Sequence, residues 1–201
     1  MSCNISNVIQ HFHGSLHGDD DVKLPEYLDA YEELSRFFSE LGVVFGFVES
    51  DVAAKRIILR ELIDNNKDEY STVITMVSTE CNDAETPREK GSRTLLRLHR
   101  ALEFLTLFVK QIYDNEEEST SEIFRKSYDE TLSRHHTWII RKSVSFASKM
   151  VPGREQLLRI MFEDKTFDEA KETITQFLQI TSIVYRRVHT IYQERNLLAL
   201  P

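Results

Sequence analysis

The chain has 201 residues, enough for one domain of ordinary size with a substantial core, and its 41% hydrophobic and 29% charged residues exclude a disordered composition. Only 6 Gly and 4 Pro are present, about half the usual share, which disfavours turn-rich β-sandwiches, barrels and Gly-rich phosphate loops and favours long helices. The net charge of −8 argues against a general nucleic-acid binder, although residues 88–110 carry six Lys/Arg against two acids and residues 134–165 seven against three. Two basic islands on an acidic body point to an anionic partner met locally.

In chain order, a short first helix is expected from Ile5 to His13, followed by Gly14, Gly18 and the acidic Asp19-Asp20-Asp21, and a second helix beginning near Pro25. That helix runs toward the apolar stretch LGVVFGFV, after which Ser50 is a candidate cap for a helix from Asp51 to Asn65. A helix from Glu69 to Thr79 follows, although STVITMVST is rich in β-branched residues, and a polar loop passes through Asn82 and Asp83. Thr86-Pro87-Arg88-Glu89 reads as a capping box with Pro in the first turn, opening a helix that continues past Gly91 to Tyr113. Ser119-Thr120-Ser121-Glu122 is a second box and predicts one long helix reaching Met150, stopped by Pro152-Gly153. A short helix from Arg154 to Phe162 and a long one from Thr166-Phe167-Asp168-Glu169 to Asn196 complete the set. The expectation is an all-α domain of about eight helices spanning residues 1–201, with no strand.

Cys3 and Cys81 have neither disulfide-framework nor zinc spacing, and MSCNISNVIQHFHG lacks a basic segment followed by an apolar one, so no signal peptide is expected. The uncharged run Thr173–Tyr185 is too short and polar for a membrane span. None of the seven His has an acid three residues before it, and nucleophile-elbow, zinc-protease and Walker patterns are missing. No enzyme, metal or cofactor is indicated.

Several polar groups interrupt apolar faces. Arg97 projects within about 20° of Phe104 and Phe108, with Arg93 one turn earlier. Two such Arg repel one another unless an anion lies between them, and the pattern admits surface solvation or a phosphate gripped by two guanidiniums. Asp51 and Lys55 repeat the i, i+4 spacing ahead of Ile58, Leu59 and Leu62. On a continuous helix His136 would share a stripe with Leu132, Ile139, Ile140 and Phe146. Trp138 would point about 160° away, among Arg134, Arg141 and Lys142, as a surface cation–π residue or a membrane-interface anchor.

Taken together, SDVAAK (Ser50–Lys55), GSRTLLRLHRALEFL (Gly91–Leu105), HHTWIIRK (His135–Lys142) and the ending NLLALP resemble the glycolipid transfer protein superfamily, in particular its ceramide-1-phosphate transfer branch. The resemblance implies a two-layer helical sandwich enclosing a lipid pocket, which moves one phosphosphingolipid between membranes without catalysis. By position it implies that Asp51 takes the lipid amide nitrogen, Lys55, Arg93 and Arg97 the phosphate, and His136 the acyl-amide oxygen. Trp138 would contact the membrane, with Arg134, Arg141 and Lys142 around it, and Phe45, Val48, Phe104, Phe108 and Val144 would line the pocket. Arg97 stands where glycolipid carriers have a sugar-stacking Trp, and Thr137 where the family frequently has Pro. A monomer in the cytosol, transiently peripheral on membranes, is the expectation. A lipid sensor that presents its cargo, or a helical adaptor whose Arg pair binds an acidic peptide, are the rival readings.

Overall fold

The computed structural model describes residues 4–42, 45–81, 89–162 and 167–201. Among them are nine α-helices and two short 3-10 turns: α1 (Ile5–Ser15), α2 (Leu24–Glu40), α3 (Gly46–Asn65), α4 (Val73–Cys81), α5 (Lys90–Asp114), α6 (Thr120–Thr131), α7 (Trp138–Ala147), α8 (Arg154–Phe162) and α9 (Phe167–Glu194), with 3-10 turns at Ser133–His135 and Ser148–Met150. The all-α expectation holds. Thr86–Arg88, Thr166 and Cys3 lie outside the described residues, and so do Val43 and Val44 of the apolar stretch.

A two-stranded antiparallel ladder, β1 (Leu16–His17) with β2 (Asp21–Val22), departs from the expectation of no strand. Strands of two residues are too short for alternation to register. Gly18 (φ 54°) makes the turn. The Arg187 guanidinium of α9 donates to the carbonyls of Gly18 (3.1 Å) and Asp21 (3.0 Å). Asp21 Oδ1 in turn accepts from the Ile74 N–H at 3.1 Å, so the hairpin caps α4.

Three helix starts differ from the sequence expectation. α3 begins at Gly46, and Ser50 lies inside it: Phe45 and Val52 are both buried, and their packing draws the helix one turn further toward its N-terminus. α4 begins at Val73 because Thr72 and Thr75 cap one another, each side-chain oxygen accepting the other's backbone N–H at 3.2 and 3.0 Å. The long helix predicted from Ser119 to Met150 is broken. Ser119 caps α6 as expected, accepting the Glu122 N–H at 3.3 Å, but the chain leaves the helix after Thr131 and extends at His136 (φ −112°, ψ 143°). Thr137 stands at the start of α7, without a side-chain cap bond, and has φ −64°, the value proline would impose, so the backbone there is the one a Pro would select.

α2 lies between α1 and α3, α5 contacts α3, α4, α6 and α9, and α9 returns to cover α1. α5 is gripped from two sides by tyrosine hydroxyls, Tyr31 donating to the Leu98 carbonyl (2.5 Å) and Tyr192 to that of Ser92 (2.7 Å). This fixes the helix that carries the Arg series.

Candidate lipid-headgroup site

α3 presents Asp51 and Lys55 one turn apart. The Lys55 ammonium pairs with the Asp51 carboxylate, its stem mostly buried and the carboxylate largely exposed. α5 presents Arg93, Arg97 and, three residues on, Arg100. Arg93 shares one Nη with Glu89 (3.4 Å), while its Nε is buried with no hydrogen-bond partner among the described residues. A buried guanidinium N–H without an acceptor is costly unless a ligand supplies one. Arg97 is exposed.

Arg100 went unremarked in the sequence, although it continues the spacing of Arg93 and Arg97 by one more turn. Its Nη2 donates to the carbonyls of Leu198 (3.0 Å) and Leu200 (3.1 Å), so the C-terminal segment holds the guanidinium in place. Burial, then the neighbouring Arg97 and Arg134, hold its pKa below the usual value. Such crowding of cations marks a surface prepared for negative charge.

The break between α6 and α7 brings the remaining groups to the same place. Arg134 reaches Glu103 of α5 (3.6 Å), and its Nε donates to His135 Nε2 at 3.1 Å. Burial, with Arg100 and Arg134 beside it, pushes the His135 imidazole down to about 4. His136 is half-buried, and Tyr128 Oη lies 2.9 Å from its Nδ1. Burial lowers the His136 pKa, Asp51 opposes that shift, and Lys55 and Arg100 add to it. His136 therefore lies within electrostatic reach of Asp51 and Lys55 on α3 and of Arg100 on α5.

His136 is not on the helical stripe that the sequence suggested, because its backbone is extended, and the 160° angle to Trp138 does not apply. The two side chains differ in burial, Trp138 being 64% exposed and His136 half-buried. α7 is anchored by the buried Val144 and Ala147, while Trp138, Ile139 (70%), Ile140, Phe146 (65%) and the following Met150 face outward. Lys142 Nζ lies 5.6 Å from the Trp138 ring centroid, and Arg141 is exposed on the same short helix. An apolar patch of this kind beside cations suits an interface of lipid chains and anionic headgroups.

Phe45, Phe104 and Phe108 meet around Phe124, which sequence reasoning did not single out, with ring centroids 5.9, 5.1 and 5.5 Å from it and edge-to-face angles. Val144 is buried and Val48 packs against the core from its rim. Among the described residues, no group of three metal-ligating side chains exists, and no helix is long and apolar enough to cross a membrane.

The family model described as "Glycolipid transfer protein (GLTP)" matches residues 22–163. The chain is 35% identical over 208 residues to the ceramide-1-phosphate transfer protein of Danio rerio, covering 98% of each chain. Mouse ceramide-1-phosphate transfer protein in its apo form superposes with a TM-score of 0.91 at 32% identity, over 98% of this chain and 100% of that one. The human protein in complex with 12:0 ceramide 1-phosphate also superposes with a TM-score of 0.91, at 31% identity, over 99% and 100%. The chain, with its row of arginines on one helix and its broken helix carrying His136, belongs to the glycolipid transfer protein family, alongside the ceramide-1-phosphate transfer proteins.

Proposed function

We propose that this chain, acting as a single lipid-carrying domain, moves ceramide 1-phosphate from one membrane to another and catalyses no reaction. The observation that supports the reading is that Asp51, Lys55 and Arg100 lie within electrostatic reach of His136 and Arg97 of Arg100, with an unpartnered buried N–H on Arg93 earlier on the same helix. Lys55, Arg93 and Arg97 hold the phosphate, Asp51 accepts from the sphingoid amide, and His136 faces the acyl-amide oxygen. Arg134, expected among the docking cations, is assigned instead to the headgroup rim because it pairs with Glu103 and donates to His135, and Trp138, Arg141 and Lys142 serve docking. The human relative crystallised with 12:0 ceramide 1-phosphate supports the same cargo here.

The lipid chains enter beside the cluster of Phe45, Phe104, Phe108 and Phe124, with Val48 and Val144 as further walls. At about 0.8 kcal/mol per buried CH₂, enclosing even six methylenes contributes roughly 5 kcal/mol, more than a single charge-assisted headgroup bond of about 1.5–3 kcal/mol. Chain enclosure thus supplies affinity, and the headgroup residues select. Arg97 in place of a sugar-stacking Trp favours phosphate over sugar, because a guanidinium offers two donors and no broad apolar face. The carrier works from the cytosol, docking transiently on membranes.

Lipid extracted from the purified protein and identified by mass spectrometry, combined with transfer of fluorescent lipids between vesicles, tests the reading. Ceramide 1-phosphate should be transferred and galactosylceramide ignored, and Arg97→Leu should abolish transfer with the helical content intact. Equal rates for the two lipids, or transfer by Arg97→Leu within twofold of wild type, would refute the headgroup assignment.

A further inference from the structure

Tyr128 is buried on α6, eight residues before His136, and its phenolic oxygen lies 2.9 Å from His136 Nδ1. The rings are 5.7 Å apart and inclined at 37°, so the contact is made through the polar edge and not by stacking. In a neutral imidazole one nitrogen carries the proton and the other accepts, and the partner of one decides the state of both. Burial pushes the Tyr128 hydroxyl up to about 12 and lowers His136, so at neutral pH the phenol keeps its proton and the ring is uncharged. Nδ1 is the ring nitrogen within reach of the Tyr128 hydroxyl among the described residues, and we assign the phenol as the donor of that bond. The single ring proton then resides on Nε2. The charged groups around this pair are Asp51 and Lys55 from α3, Arg100 from α5, and Asp129 and Arg141 on the flanking helices.

We propose that Tyr128 is a positioning residue that makes the site prefer a sphingoid amide over a glycerol ester, by holding His136 with its Nε2–H as donor opposite the Asp51 carboxylate. The inference rests on the headgroup reading given above. A secondary amide offers one donor, N–H, and one acceptor, C=O. Asp51 is acceptor only, and His136 in this tautomer presents a donor, so together they complement that group. A phosphorylated glycerolipid brings the same phosphate but no N–H, and Asp51 would then face ester oxygens without a donor between them. With the proton on Nδ1 the Nε2 lone pair would confront the amide oxygen, and the advantage of the amide would shrink.

The test combines ¹⁵N-histidine NMR at neutral pH with binding of two short-chain lipids of equal acyl length, ceramide 1-phosphate and phosphatidic acid. The variants are Tyr128→Phe and His136→Gln, the latter also identifying the His136 signals by their loss. Wild type should show a neutral His136 protonated on Nε2. Tyr128→Phe should free Nδ1 and weaken ceramide 1-phosphate about 3- to 10-fold while changing phosphatidic acid less than twofold. A wild-type proton on Nδ1 overturns the proposal even where Tyr128→Phe fails to fold, and so does a folded Tyr128→Phe protein with an unchanged ratio of the two affinities. A wild type that binds ceramide 1-phosphate no better than phosphatidic acid, or binds neither, overturns the headgroup reading as well, a result distinct from an unchanged ratio in the variant.

Discussion

The Glu80 carboxylate occupies the space that a side chain at Gly91 would need: a Cβ there would lie 2.7 Å from Oε1, which accepts the Gly91 N–H at 2.7 Å. Oε2 takes the Ser92 N–H at 2.7 Å, and the Tyr70 hydroxyl donates to Oε1 at 3.1 Å. A buried carboxylate from α4 thus satisfies two of the unpaired N–H groups at the start of α5 and complements its dipole. Met76 Sδ (2.9 Å) and Tyr70 Cε1 (3.2 Å) leave no room to retreat. Gly91→Ala should cost about 1–3 kcal/mol and lower the thermal midpoint by roughly 2–4 °C per kcal/mol. An unchanged midpoint would mean that Glu80 moves aside freely.

Ending the chain after Leu197 removes the carbonyls of Leu198 and Leu200 that hold Arg100. The shortened protein should bind short-chain ceramide 1-phosphate about tenfold more weakly, as should Arg100→Gln, and the combination should be no worse than either alone. Titration calorimetry on all three decides it. Additive losses would mean that the tail acts by another route.

Trp138→Ala should weaken adsorption to anionic vesicles and slow transfer, while leaving binding of short-chain lipid in solution nearly unchanged. The indole is exposed beside Lys142, and each nearby cation contributes about 1 kcal/mol of attraction to anionic lipid. Vesicle sedimentation should also show adsorption falling as salt rises, since exposed charges are screened within about 8–10 Å at physiological ionic strength. Normal adsorption with lost lipid binding would place Trp138 in the pocket.

His99 is 2% exposed, its ring stacked 4.3 Å from that of Tyr185, and both its nitrogens lack hydrogen-bond partners among the described residues. Burial, then His189 and Arg100, push its pKa down to about 3. The unfolded chain therefore takes up this proton first, and stability is lost as pH falls from about 6.5 toward 3, by up to roughly 1.4 kcal/mol per unit. His99→Phe keeps the stacking and should flatten the fall in urea midpoint between neutral and mildly acidic pH. An identical acid slope in the variant would assign the effect to other groups.

What could be read from the sequence was what is decided locally. The Ser119 box announces α6, and Pro152-Gly153 and the start of α8 at Arg154 fall where their residue types put them. The break before α7 was hidden because Leu132, Ile139, Ile140 and Phe146 continue a helical period across it. The contacts around the break are tertiary: Tyr128 on His136, and Arg134 on Glu103 of another helix. The Arg series of α5 was legible as spacing. Its third member was passed over because its partners, Leu198 and Leu200, lie about 100 positions away. Phe124 carried no local mark, since an edge-on ring between three others is a property of the packed core alone.

α9 covers α1, and Arg187 ties it to the turn of the hairpin that follows α1. The side of α1 that packs on α9 is therefore completed by residues synthesised some 170 positions later. At about 5–20 residues per second, that side waits roughly 10–35 s for its cover while the chain is being made. A carrier whose work is to shelter lipid thus begins with an apolar helix face unsheltered, and during that interval the nascent chain offers chaperones and membrane surfaces a binding site that the finished protein does not have.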